Sequence, residues 1–169
     1  AGELGFLPFG ADPFDTESIR AGAYERIVAS VGMMQRYTAL TGRDVKVPAI
    51  FDAANDGEDA ANQVLDETAR YLAFGVGAIT AIANPEKIII GGSIGNRPEM
   101  IARTQKFLPQ IMPQPITIVP SSLHQRAAIV GAAAIGLGHL HNTFFGADAP
   151  DGRISLPPAS SVSLKGAST

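Results

Sequence analysis

Three consecutive isoleucines running into a pair of glycines, Lys87-Ile88-Ile89-Ile90-Gly91-Gly92-Ser93, constrain the fold of this chain more than any other feature. β-Branched side chains suit a pleated surface, and the lack of polar alternation points to a strand covered on both faces, as in parallel sheets. A parallel neighbour needs a crossover, and helical patterns stand on both sides of the run. A helix is expected over residues 98–111, then a second short strand over 116–119. An Ala- and Gly-rich helix over 125–140 follows, with Ser121-Ser122 as its cap. That order implies right-handed β-α-β geometry and the α/β class.

Upstream, the clearest helix spans residues 58–83, with Ala61, Val64, Leu65, Ala69, Leu72 and Val76 along one face. Asp56 is expected to cap it, and Glu58 and Asp59 lie in its first turn, where the helix dipole favours negative charge. Gly75 and Gly77 each weaken such a helix by roughly 1 kcal/mol relative to alanine. The expected return is close approach of a neighbouring backbone. Asn84-Pro85 ends the helix. Residues 21–40 read as one further helix stopped by Gly42, Pro48 opens a shorter one through residue 54, and the apolar stretch 3–8 reads as a strand. Three strands make a thin sheet for this much helix, so the missing neighbours of the isoleucine strand are expected from chain preceding Ala1. After residue 141 the periodicity dissolves into Pro, Ser, Ala and Gly. The expected division is a domain over 1–141 and an irregular tail over 142–169.

Composition narrows function by exclusion. There is no cysteine, hence no disulfide, thiolate zinc site or cysteine nucleophile, which fits a cytoplasmic protein. Net charge is −3, and the Lys and Arg residues are scattered rather than gathered into a stripe. DNA contact, if the whole protein makes any, is therefore expected from another segment. No uninterrupted apolar run reaches the ~18–20 residues of a membrane span, and the first residues carry no basic or hydrophobic targeting pattern.

Three places suit ligand chemistry. Glu3 stands beside Gly5 at the start of the chain, and a carboxylate there accepts hydrogen bonds from vicinal hydroxyls while the glycine admits a ligand to the backbone. Glu25, in Gly22-Ala23-Tyr24-Glu25, lies at a helix start, where a favourable dipole contact alone is the plainer explanation. Gly91 and Gly92 follow the isoleucine strand at its carboxyl end, the usual ligand side of an open α/β sheet. They match neither a dinucleotide fingerprint nor a Walker loop, and a tight packing turn is the competing explanation. His139 and His141 are two apart, so on a helix they point about 200° from each other and cannot share a metal. His124 sits near a helix start.

Taken in order, these segments resemble the ROK family (repressor, open reading frame, kinase), which comprises sugar kinases and sugar-responsive repressors of actin-like ATPase (ribonuclease H-like) fold. Ala1-Gly2-Glu3-Leu4-Gly5-Phe6 is similar to the family's A-G-E-x-G-H, and Gly22-Ala23-Tyr24-Glu25 to its G-C-x-E. Asn84-Pro85-Glu86-Lys87-Ile88-Ile89-Ile90-Gly91-Gly92 resembles N-P-x-x-I-V-I-G-G, and residues 128–134 its closing G-A-A helix. The resemblance implies the carboxy-terminal half of that fold, with a sheet left incomplete without the amino-terminal part. It implies that Glu3 and Glu25 bind sugar hydroxyls and that Gly91 and Gly92 line the nucleotide side of the cleft. It also implies a homodimer, and ATP with Mg if the protein is a kinase.

The departures are as informative. The family's sugar- and zinc-binding histidine falls at Phe6, and its zinc cysteines at Thr16, Ser18 and Ala23, so no zinc is expected. The phosphate loop and general base of the family's kinases lie upstream of Glu3, so no catalytic residue is assigned here. Loss of the histidine favours a sugar-sensing effector part of a ROK-type transcriptional regulator. The alternative is a ROK-type sugar kinase lacking the zinc site.

Overall fold

The structure, a computed structural model, describes residues 2–145, less the side chain of Gln125. In chain order, a 3-10 turn at Leu4–Phe6 precedes α1 (Thr16–Ala21), α2 (Glu25–Val28), α3 (Ser30–Thr41), α4 (Val47–Asn55) and α5 (Asp59–Ala83). Then follow β1 (Ile88–Ile90), α6 (Pro98–Phe107), β2 (Ile118–Pro120) and α7 (Ala127–Phe145). The isoleucine run is thus a strand, and it pairs in parallel with β2 through Ile88↔Ile118, Ile89↔Val119 and Ile90↔Pro120. The chain divides into two units, Ala1–Gln125 and Arg126–Thr169, and α7 is the described element of the second.

The first unit is built on α5, whose 25 residues give it a length of roughly 37 Å. Its amino-terminal half sends Ala61, Val64, Leu65 and Ala69 into a core completed by Met33 and Tyr37, Ile50 and Phe51, and Met100. Its second half joins Ala73 and Val76 to Ile101, Leu108 and Ile118, against the small sheet. Polar ties fix the helices around this axle. The Tyr37 hydroxyl donates to Glu58 Oε1 at 2.8 Å, and the Arg43 guanidinium bonds both groups. Arg103 joins α6 to Asp66 and Asn62 of α5, and Arg97 lies 4.1 Å over the Phe51 ring.

Several expectations are corrected. Within residues 3–8, Leu4–Phe6 form a 3-10 turn rather than a strand, because among the described residues no strand pairs with them and the backbone closes locally, Leu7 N–H on Leu4 O at 3.0 Å. The helix expected over 21–40 is two helices, α2 and α3, set off from the end of α1 by Gly22. Gly22 turns the chain at φ 89, and Ala29 is extended at φ −81, ψ 172. Asp56 closes α4 instead of opening α5, and Glu58, which does precede α5, spends its carboxylate on Tyr37 and Arg43. Gly75 and Gly77 make room for side chains, Tyr24 and Ile111, not for a backbone. Asn84 ends α5 in the left-handed region at φ 41.

Among the described residues strand β1 has one neighbour and is not covered on both faces. Ile89 is 64% exposed. Helix α7 continues to Phe145, so residues 142–145 are helical, and the remainder of the expected tail lies outside the described residues. At 19 residues α7 has the length of a membrane span, but its three glycines and two histidines leave it only modestly apolar.

Candidate functional site

Two glycines assemble the site. Gly22 separates α1 from α2 at a φ that disfavours any side chain, and a β-carbon there would overlap the carbonyl of Gly5. The corner and the 3-10 turn therefore meet backbone to backbone. Gly5 is buried in turn, and its own β-carbon position lies 3.3 Å from Glu25 Cβ, 3.5 Å from Glu3 Oε1 and 3.6 Å from Glu25 Oε2. Two carboxylates far apart in sequence thus converge on one bare stretch of backbone.

Both glutamates are exposed, and neither has a hydrogen-bond or ion-pair partner among the described residues. The contrast with nearby carboxylates is plain. Asp15 is taken by Arg26, Glu17 by Arg20, Glu58 by Arg43 and Glu67 by Arg36. The hydrogen bond from Arg26 holds the Asp15 carboxyl below its ordinary range, and Arg43 then Tyr37 do the same to Glu58. Glu3 and Glu25 keep all their acceptor positions for solvent or a ligand. A carboxylate with four lone-pair sites can hold two adjacent hydroxyls, and two carboxylates facing one glycine can fix the orientation of a ring. Phe6, in the same 3-10 turn and half-exposed, adds an apolar surface beside them.

The residues standing where the family sets zinc do not suit that ion. Ser18 is 2% exposed, and its hydroxyl oxygen accepts from the Arg26 guanidinium at 2.7 Å. Arg26 also reaches Asp15 Oδ2 at 2.5 Å. Through these two bonds the Arg26 guanidinium ties α1 to α2. Among the described residues there is no group of three or more His, Asp or Glu side chains placed to hold an ion. Sequence reasoning overlooked this tie, although an aspartate, a serine and an arginine bracketing Gly22 were visible.

Gly91 and Gly92 lie in the loop leaving β1, both exposed, with Gly92 at φ 83 and open space around it. Among the described residues nothing accepts from the backbone N–H groups of Gly91, Gly92 and Ser93. The loop leaving β2 runs alongside. Ser121 Cβ is 3.8 Å from the β-carbon position of Gly91, and Asn96 Nδ2 is 2.8 Å from Nδ1 of His124. His124 holds φ 49, a conformation unusual outside glycine. The structure does not bring the two candidate sites into contact, since neither glutamate lies within 4 Å of the β-carbon positions of Gly91 or Gly92. Two hollows, of about 410 Å³ beside Leu108 and Ile116 and about 520 Å³ along α3, contain none of these residues.

Fold and site together define an α/β domain with a free carboxylate pair beside Gly5 and a glycine loop at the carboxyl end of a parallel strand. A family model described as ROK family matches residues 1–138, and the chain belongs to the ROK family. It is 26% identical over 120 residues to a kanosamine kinase of Amycolatopsis mediterranei, covering 69% of this chain and 40% of that protein. It is 36% identical over 103 residues to a glucokinase of Thermotoga maritima, covering 57% and 32%. A ROK family protein from Streptococcus pneumoniae TIGR4, solved in complex with sucrose, superposes with a TM-score of 0.69 at 20% identity, over 84% of this chain and 50% of that one. The chain thus spans less than half the length of the curated relatives it matches.

Proposed function

We infer that this chain supplies the sugar-holding part of a ROK-type sugar kinase, as the carboxy-terminal half of an actin-like ATPase fold. The observation that carries the reading is the convergence of Glu3 and Glu25 on Gly5 with their acceptors free. The two carboxylates would accept hydrogen bonds from sugar hydroxyls and fix the ring, with Gly5 allowing it to approach the backbone. ATP with Mg would supply the transferred phosphoryl group and neutralise its charge. The free amides from Gly91 to Ser93 suit the oxygens of a nucleotide. No residue of this chain is assigned as the base. Such an enzyme would be cytoplasmic and dimeric and would need no zinc.

The kinase names among the relatives favour this reading over a sugar-sensing transcriptional regulator. The regulator reading keeps one observation of its own, the apolar Phe6 where the family places a hydrogen-bonding histidine. In it, DNA contact belongs to a segment outside this chain. ATP turnover by the full-length protein with glucose, kanosamine, N-acetylhexosamines and pentoses separates the two. Sugar-dependent ADP release is expected. Sugar binding without turnover would support the regulator, and neither binding nor turnover would remove both.

A further inference from the structure

We propose that Tyr24 and Gly75 act together as the positioning device of Glu25, the tyrosine hydroxyl occupying the space that the missing β-carbon of Gly75 leaves on α5. Tyr24 immediately precedes α2 and is 3% exposed. Its hydroxyl donates to the carbonyl of Tyr71 at 3.0 Å. A β-carbon on Gly75 would overlap that hydroxyl oxygen and lie 2.8 Å from the ring Cζ. On its other side the ring meets Phe9 edge-on at 5.4 Å, and Phe9 meets Phe74 of α5 at 6.2 Å. Burial raises the phenol's pKa, so it remains a neutral donor.

The geometry explains how an inward tyrosine serves an outward glutamate. Successive helical residues point about 100° apart, so fixing Tyr24 against α5 fixes the direction in which Glu25 leaves α2. That direction is toward Gly5, whose β-carbon position lies 3.6 Å from Glu25 Oε2 and 3.5 Å from Glu3 Oε1. A four-residue helix cannot hold its own orientation. The glycine that weakens α5 is thereby accounted for, since only a residue without a β-carbon lets the hydroxyl reach the helix backbone. The functional half of this inference rests on the sugar-binding reading above.

The test uses the full-length protein and two readouts, amide hydrogen exchange of residues 22–28 and calorimetric titration with glucose. Gly75→Ala is expected to speed exchange over 22–28 at least tenfold while residues 61–69 of α5 stay protected, and to weaken glucose binding at least tenfold. Tyr24→Phe, which keeps the ring and loses only the hydroxyl bond, is expected to weaken binding about threefold. Adding Tyr24→Phe to Gly75→Ala should recover part of the loss, because the nearest overlapping atom is gone and only the 2.8 Å approach of Cζ remains to be relieved. Unchanged exchange over 22–28 in Gly75→Ala would overturn the proposal. So would loosened residues 22–28 with glucose affinity intact, or a double variant no better than Gly75→Ala. Should Gly75→Ala not fold, Tyr24→Phe decides by the same two readouts. A wild-type protein that binds no glucose counts against the sugar reading, and the exchange experiment then decides the positioning alone.

Discussion

Gly22 determines whether the two glutamates meet. Its φ of 89 and its contact with the Gly5 carbonyl leave no room for a methyl group. Gly22→Ala is therefore expected to destabilise the protein by about 1–3 kcal/mol, as overpacking and backbone strain together do. It should weaken sugar binding as well, read by denaturant unfolding alongside calorimetry. A second residue-level prediction concerns acid. Glu58 has its folded pKa held below its ordinary value near 4.5 by Arg43 and Tyr37. Its contribution is present above the unfolded value and is lost as pH falls through the folded one. Thermal melts from pH 6 down to pH 3 should show less acid destabilisation in Glu58→Gln than in wild type, and equal slopes would refute the assignment. Neither point was fully legible in the sequence. Glu3 and Glu25 were candidates by chemistry and by resemblance, whereas their meeting depends on a backbone contact between two glycines that carries no side-chain signal.

At the scale of elements, what could be read was what periodicity and strong stops encode. The long helix α5 was expected nearly to the residue, because an apolar face and an Asn-Pro stop mark it. The same holds for the isoleucine strand and for Gly42 at the end of α3. The region over 21–40 was misjudged because Tyr24, Ile27, Val28, Val31 and Met34 keep one apolar rhythm across the backbone break at Ala29. Only Gly22 among the break residues announces itself, and Ala29 is indistinguishable by type from a helical alanine. The strand expected over 3–8 failed for a different reason, since an apolar run becomes a strand only beside a partner. Two substitutions test the element account. Leu65→Ala, in the core that α5 shares with α3 and α4, should cost about 2–5 kcal/mol. Asn84→Gly should be neutral or slightly stabilising, while Asn84→Val, at φ 41, should lose about 1 kcal/mol or more. Chemical denaturation of each variant checks the order.

For the molecule as a whole, family membership and length set the frame. The ROK match covers residues 1–138, yet the chain corresponds to 40% or less of the kanosamine kinase and glucokinase it resembles. The 64% exposure of Ile89 on β1 shows what the isoleucine run looks like with one neighbour in place of two. Arg26 ties Ser18 and Asp15 where a metal would otherwise staple the segment, so elemental analysis of the full-length protein should find no stoichiometric zinc. One zinc per chain would contradict that account.

The most direct test of the central claim is calorimetric titration of the full-length protein with its best-binding sugar, in wild type, Glu3→Gln, Glu25→Gln and the double variant. Each hydrogen bond to a charged group contributes about 1.5–3 kcal/mol. Each single change should therefore weaken binding by roughly tenfold or more, and the double variant should fall short of the product of the two, because both carboxylates hold the same ring. Wild-type affinity in either single variant would contradict the account.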